Sequence, residues 1–194
     1  MDWRRLIDAE LATRVHGGPT IGSLRVEELP ALYEQRREAA AVELSGDVER
    51  WDVVIDGVAG VSVRCHRPRG VSGLLPVLLS IHGGGFIVGS NRMDDVLLDE
   101  WCPRLPAVGV SVDYRLAPEH PCPAALEDCA AAVEWIAANA ETLGVDVSRF
   151  GVFGVSAGGC LAAAVALREL DDGRNRLMCL LGIRAILRGG TGLR

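Results

Sequence analysis

The chain has 194 residues, of which 49% are hydrophobic and 24% are charged. This length and composition are sufficient for one packed domain, or for one with a small subdomain, and they exclude intrinsically disordered, low-complexity and repeat proteins. The formal charge is −6, and this negative sign argues against nucleic acid, whose binding needs a basic face.

The first half of the chain predicts two helices followed by a hairpin. Residues 2–14 and 26–44 have helical periodicity, and they would pack outside the rest of the domain. Residues 50–56 and 61–67 are rich in β-branched side chains and alternate in polarity, with a glycine-containing turn between them. Such a pair of segments is typical of an antiparallel hairpin.

The pattern then changes to apolar strands that alternate with helices. The runs 75–81, 107–113 and 149–155 predict strands buried on both faces, and 94–101 and 124–140 predict the helices between them. Strands that alternate with helices imply crossover connections. We therefore predict an α/β fold with a mostly parallel sheet, an antiparallel N-terminal hairpin and flanking helices.

The segment Gly154–Gly158 matches the pattern G-x-S-x-G between an apolar strand and a run compatible with a helix. Glycines allow the backbone to turn sharply around Ser156, so that its hydroxyl is exposed at a helix N-terminus as a nucleophile. The N–H of Ala157 would then face an oxyanion formed at a carbonyl attacked by Ser156. A purely structural strand-to-helix joint is the alternative interpretation of this short motif.

A second motif, His82–Phe86, follows another predicted buried strand and contains three consecutive glycines, Gly83, Gly84 and Gly85. Backbone N–H groups of such a loop can complete an oxyanion hole. The alternatives are a flexible loop or a phosphate cradle, but no G-K-[ST] follows that would hold a nucleotide. A dinucleotide turn is also disfavoured, because Ser156 stands where G-x-G-x-x-G needs its second glycine.

Together with Asp113–Pro121, these two motifs resemble the hormone-sensitive lipase-like carboxylesterases of the α/β-hydrolase fold. The resemblance implies hydrolysis of short- or medium-chain carboxylic esters through an acyl-serine on Ser156. It also implies N-terminal cap helices over residues 1–45 and the N-terminal part of the hydrolase core over 46–172. Asp113–Pro121 resembles a structural turn of that family, and we expect no catalytic role for it.

The sequence departs from that family after the serine. The family places an acid and then a histidine after the nucleophile, but no histidine follows Ser156, and the only aspartates there are Asp171 and Asp172. Val155 stands where the family usually has an acidic residue. Residues 173–194 hold five arginines and no acid, and we interpret them as a divergent basic tail produced by a frameshift or early stop. A genuinely divergent short member of the family is the alternative.

These departures predict impaired ester hydrolysis, or a catalytically dead relative that binds a hydrophobic small molecule. His82 and His120 remain candidate substitute bases. Six cysteines at scattered spacings predict no metal site, and we expect no cofactor, no membrane span and a cytoplasmic location. An incomplete parallel sheet would leave one edge exposed, which predicts self-association through that edge.

Overall fold

The computed structural model of the protein describes Arg25, Glu28 and residues 43–57, 60–174 and 176–183. The helices predicted over 2–14 and 26–44, and almost all of the predicted cap region, lie outside these residues. The predicted α/β fold is confirmed for the part of the chain that is described.

Six strands form one mixed sheet in the order β1-β2-β4-β3-β5-β6. β2 pairs antiparallel with both β1 and β4, whereas β4, β3, β5 and β6 run parallel to one another. This arrangement confirms the predicted hairpin and parallel core. The strands are β1 Val48–Val54, β2 Ser62–Pro68, β3 Leu75–Ile81, β4 Val108–Asp113, β5 Val145–Val155 and β6 Leu177–Ile183.

Helices cover both faces of the sheet. They are α1 Asp95–Arg104, preceded by a 3₁₀ turn at Asn91–Asp94, then α2 Ala124–Ala138, α3 Ala140–Leu143 and α4 Ala157–Asp171. The buried side chains of α2 and α4 share one core with alternate residues of β3 and β4. On the opposite face, Leu98 and Cys102 of α1 pack with Leu78 and Phe153. Both faces of the central strands are thus covered, as their largely apolar sequences require.

The predicted strand 149–155 begins four residues earlier than expected, at Val145. The helix predicted to extend to residue 140 ends at Ala138, and the single turn of α3 follows. Gly144 then adopts a left-handed conformation with φ 63°, which ends α3 immediately before β5. A left-handed glycine is a common terminator of helices, because it has no Cβ to clash with the turn.

The start of the predicted basic tail contributes to the fold. Residues 177–183 form β6, which pairs in parallel with β5. The guanidinium of Arg176 bonds to Glu169 at the end of α4 and to Glu134 on α2, with nitrogen–oxygen distances from 2.7 to 3.0 Å. These contacts join residue 176 to both helices of one face. That the segment 173–194 is divergent stays a prediction.

Candidate active site

Ser156 occupies the turn between β5 and α4 in a strained backbone conformation, with φ 55° and ψ −115°. Positive φ values are uncommon for residues other than glycine, and such strain persists only where the surrounding structure enforces it. Strand β5, which is hydrogen-bonded to β3, ends at the residue before Ser156, and the 15-residue helix α4 begins at the residue after it. This is the strand–turn–helix geometry predicted for the G-x-S-x-G motif.

This turn requires glycine at two positions of the motif, because a side chain at either position would collide with nearby backbone atoms. A Cβ added to Gly154 would lie 2.2 Å from the carbonyl oxygen of Gly158. A Cβ added to Gly158 would lie 1.9 Å from the carbonyl oxygen of Ile81 on the neighbouring strand β3. Both glycines are therefore required by backbone-to-backbone contact.

The triple glycine lies beside this turn, because β3 and β5 are neighbours and Ile81 pairs with Gly154. A Cβ on Gly83 would lie 2.7 Å from the carbonyl oxygen of Val155 and 3.7 Å from the Cβ of Ser156. Gly84 has φ 129°, and a Cβ there would lie 1.8 Å from the carbonyl oxygen of Val88. The two motifs thus meet at one edge of the sheet, although Gly84 and Ser156 are 72 residues apart in sequence.

The remaining predicted site residues lie in the same loop or at the same turn. Gly85 has φ 65°. Ala157 is the first residue of α4 and is buried, at 6% exposure. N–H groups in the first turn of a helix have no partner within the helix, and the helix dipole favours negative charge there. Val155, in the position where the family usually has an acid, is 40% exposed.

His82 is a scaffold residue rather than an accessible base. Its side chain is 1% exposed, and its ring stacks on that of Tyr114 with centroids 4.1 Å apart. Nδ1 of His82 lies 2.8 Å from the carbonyl oxygen of Gly83. Burial lowers the pKa of His82 to about 4, although the bond to Gly83 acts in the opposite direction. Desolvation disfavours the imidazolium, so the buried ring is neutral near neutral pH.

The segment Asp113–Pro121 supports the glycine-rich loop from the side. The hydroxyl of Tyr114 donates to the carbonyl oxygen of His82 at 2.9 Å, and the N–H of Ala117 donates to the carbonyl oxygen of Phe86 at 2.9 Å. Arg115 binds the fully buried carboxylate of Asp128 through its backbone N–H and its guanidinium. Sequence reasoning missed Asp128 as a partner, because a lone acid within an apolar helix gives no motif.

An apolar cavity of about 200 Å³ adjoins the loop. Phe86, directly after the triple glycine, lines one side, and Leu161, five residues after Ser156, lines another. His120 also lines this cavity and is exposed, so of the two candidate substitute bases it is the accessible one. The other lining residues are Arg115, Ala117, Cys122, Pro123, Ala125 and Leu126.

Across the described ranges, no three or more His, Cys, Asp or Glu side chains come together as a metal site would require. Within the same ranges, no helix has the length and apolar character needed to cross a membrane.

A family model described as the alpha/beta hydrolase fold matches residues 78–189. The chain belongs to the alpha/beta hydrolase fold family. This match includes both motifs of the site and extends over β6, and the resemblance to hormone-sensitive lipase-like carboxylesterases is confirmed.

Relatives of this hydrolase chain carry esterase names. It is 38% identical over 148 residues to the esterase LipI of Mycobacterium tuberculosis, covering 75% of this chain and 46% of LipI. It is 42% identical over 126 residues to the carboxylesterase NlhH of the same species, covering 65% of this chain and 40% of NlhH. A solved bacterial heroin esterase superposes with a TM-score of 0.79 at 36% identity, over 91% of this chain and 57% of that one. The chain thus spans less than half the length of these two curated relatives.

Proposed function

We propose that this chain carries the nucleophile and oxyanion half of a serine carboxylesterase site. Ser156 would be the nucleophile, and backbone N–H groups of Gly83, Gly84, Gly85 and Ala157 would stabilise the oxyanion. The observation that carries the proposal is the contact between the loop and the strained turn, where Gly83 leaves no room for a Cβ against Val155.

In the proposed reaction, a base takes the hydroxyl proton of Ser156 as its Oγ attacks the carbonyl carbon of an ester. The π electrons of the carbonyl move to its oxygen, and that negative charge is stabilised by the N–H groups of the loop and of Ala157. Collapse of the intermediate re-forms the carbonyl and breaks the bond to the alkoxide, which takes this proton from the base and leaves as an alcohol. Water then attacks the acyl-serine and releases a carboxylic acid, which restores the hydroxyl of Ser156.

The step that this sequence supports least is removal of the proton from Ser156. Its histidines are His16, His66, His82 and His120, all earlier in the chain than the serine. Loss of the base in a worked serine hydrolase reduces turnover by about 10⁶, while oxyanion donors and binding alone retain roughly 10³–10⁴ over water. We therefore expect slow hydrolysis from the 194-residue chain.

The cavity beside the loop supports short- to medium-chain acyl groups as substrates. It is almost entirely apolar, holds about 200 Å³ and is lined by residues from both the loop and α4. Small apolar pockets of this kind bind hydrophobic groups by removing them from water. A cytoplasmic location and self-association through the outer edge of β6 stay predictions.

A second candidate function is binding of a hydrophobic small molecule without turnover. The same cavity favours it, and so does the burial of His82, which removes one of the two candidate bases from solvent. Activation of Ser156 distinguishes the two functions, since only the esterase needs a reactive hydroxyl.

Hydrolysis of p-nitrophenyl butyrate by the purified chain and by its Ser156→Ala variant tests the proposal. We expect slow release of p-nitrophenol that the variant lowers to the rate of buffer. A His120→Gln variant, measured alongside, reports whether the accessible histidine supplies the base. Equal rates for the chain and the Ser156→Ala variant would overturn the acyl-serine route and favour the binding function.

A further inference from the structure

Buried polar side chains form a row across the α1 face of the sheet, on three adjacent strands. The row consists of Arg64 and His66 on β2, Ser111 on β4 and Ser80 on β3, and none is more than 8% exposed. Ser111 is the register partner of both Arg64 and Ser80. Buried polar groups are costly unless they are hydrogen-bonded, so the partners of this row are informative.

All of these side chains bond to the segment that follows the glycine-rich loop. Oγ of Ser80 donates to Oδ2 of Asp94 at 2.5 Å, and Oγ of Ser111 donates to the carbonyl oxygen of Asn91 at 2.8 Å. Both acceptors lie in the 3₁₀ turn, just beyond residues 82–90. The two serines therefore attach the end of the loop to the two central strands.

Arg64 and His66 hold the next residue, Asp95. Nε of Arg64 and Nε2 of His66 lie 2.8 and 2.9 Å from the same carboxylate oxygen, Oδ1. Burial acts to raise the pKa of Asp95, but the bonds from His66 and Arg64 hold it below its usual value. Asp95 thus has a cationic partner, whereas the neighbouring Asp94 accepts its side-chain bond from a neutral hydroxyl.

The bond between Ser80 and Asp94 joins the two ends of the glycine-rich loop. Ser80 lies two residues before His82 on β3, and Asp94 lies four residues after Ser90. The loop between them includes Gly84 and Phe86 at positive φ, conformations that need external support. A single buried hydrogen bond to a carboxylate is strong enough to supply part of that support.

We propose that Ser80 and Asp94 are positioning residues that hold the loop 82–90 in the geometry of an oxyanion hole. The proposal rests on the proposed function, because fixed N–H groups accelerate a reaction only where an oxyanion forms next to Ser156. A role confined to general stability would affect the whole domain, whereas a positioning role affects the loop first. Amide hydrogen exchange separates these two roles without requiring turnover.

Exchange is measured by mass spectrometry on the purified chain and on Ser80→Ala, with peptides covering residues 82–90 and α4. We expect exchange in 82–90 to accelerate by about tenfold to a hundredfold, as loss of a hydrogen bond to a charged group implies, with α4 unchanged. Cys129→Ala is the matched control, because it shortens a fully buried small side chain on the opposite face of the sheet. It should leave the loop at the exchange rate of the unaltered chain.

Asp94→Ala and Asp94→Asn provide an independent pair if Ser80→Ala does not fold. Asparagine retains an oxygen that can accept from Ser80, so Asp94→Asn should restore most of the loop protection that Asp94→Ala loses. Unchanged exchange in 82–90, equal acceleration in the loop and α4, or no recovery with asparagine would overturn the proposal.

Labelling of Ser156 by a fluorophosphonate in the same samples keeps this test separate from the proposed function. If the unaltered chain is labelled, Ser80→Ala should be labelled tenfold to a hundredfold more slowly. If the unaltered chain is not labelled, the proposed function fails, and hydrogen exchange alone still decides whether Ser80 and Asp94 hold the loop.

Discussion

Two turns at the same edge of the sheet are held by different physical means. The turn at Ser156 is fixed by close backbone contact, since Gly154 and Gly158 leave no space for a Cβ. The loop 82–90 has such contacts at Gly83 and Gly84, but side-chain hydrogen bonds hold it as well: Ser80 and Ser111 bond to the turn at its end, and Tyr114 bonds to the carbonyl oxygen of His82. Backbone packing tolerates almost no substitution, whereas a set of separate hydrogen bonds should weaken step by step.

A side chain at position 158 should break the turn at Ser156. Gly158→Ala places a Cβ 1.9 Å from the carbonyl oxygen of Ile81, a backbone atom that cannot move aside without disturbing β3. We expect the free energy of unfolding to fall by about 3 kcal/mol or more, the upper range for overpacking. Urea denaturation measures the change. Gly46→Ala is the control, because no atom lies within 4 Å of a Cβ there, and a similar loss in both variants would contradict the account.

The stability that His82 contributes beneath the loop should depend on pH. The pKa of His82 is lowered to about 4 by burial, so between pH 4 and 6.5 the unfolded chain binds more protons than the folded one. Stability should therefore decrease as pH falls through that range, by up to about 3 kcal/mol from this group.

His82→Phe retains an aromatic ring and cannot titrate. The difference in unfolding free energy between this variant and the unaltered chain isolates the contribution of His82. Asp94, whose pKa burial raises to about 6, contributes a slope of opposite sign to both proteins and cancels in the difference. A difference that stays constant between pH 7 and pH 4.5 would refute the neutral, buried state of His82.

The ion pair between Arg115 and Asp128 holds the segment that supports the glycine-rich loop from the side. Asp128 is fully buried and binds Arg115, so Asp128→Asn removes the charge partner of a guanidinium that is itself 25% exposed. We expect a loss of about 2 kcal/mol, less than for a completely buried pair. Glu100→Gln breaks the exposed pair with Arg104 and should cost less than about 0.5 kcal/mol. Equal losses in thermal or urea denaturation would show that burial of Asp128 does not matter.

The smallest expected effect is at Val155, where the sequence departs from the family pattern. Its side chain is 40% exposed, so Val155→Glu requires little desolvation of the new charge. We expect a change in unfolding free energy within about 0.5 kcal/mol, as for most surface substitutions. A loss above 1 kcal/mol in urea denaturation would mean that the turn depends on side-chain packing as well as on its glycines.

The sequence predicts much of the fold because local signals and tertiary packing agree. The run 75–81 is apolar except for Ser80, and it forms β3 with those bounds. The motif around Ser156 has a mechanical cause that can be recognised from residue types alone, since only glycine fits where backbones meet. Hydrophobic periodicity gave the helix ends less accurately, because the end of α2 at Ala138 depends on the turn formed by α3 and Gly144.

The support of the candidate site could not be predicted from sequence. Ser80 lies inside an apolar strand and Asp94 in a short turn. Only the register of β3 with β4 shows that Ser80 and Ser111 lie side by side, where both bond to the turn at 91–94. The stacking of His82 on Tyr114 likewise joins residues 32 positions apart. Such pairs have no fixed spacing in sequence, so a sequence motif cannot reveal them.

Acylation of Ser156 is the step on which the proposed esterase function depends. Incubation of the chain with a fluorophosphonate, followed by mass spectrometry of the intact protein and its peptides, tests this step directly. We expect one phosphonate on the peptide containing Ser156, formed slowly and absent from the Ser156→Ala variant. An unmodified Ser156 after prolonged incubation, or an adduct on another residue that persists in Ser156→Ala, would contradict that function.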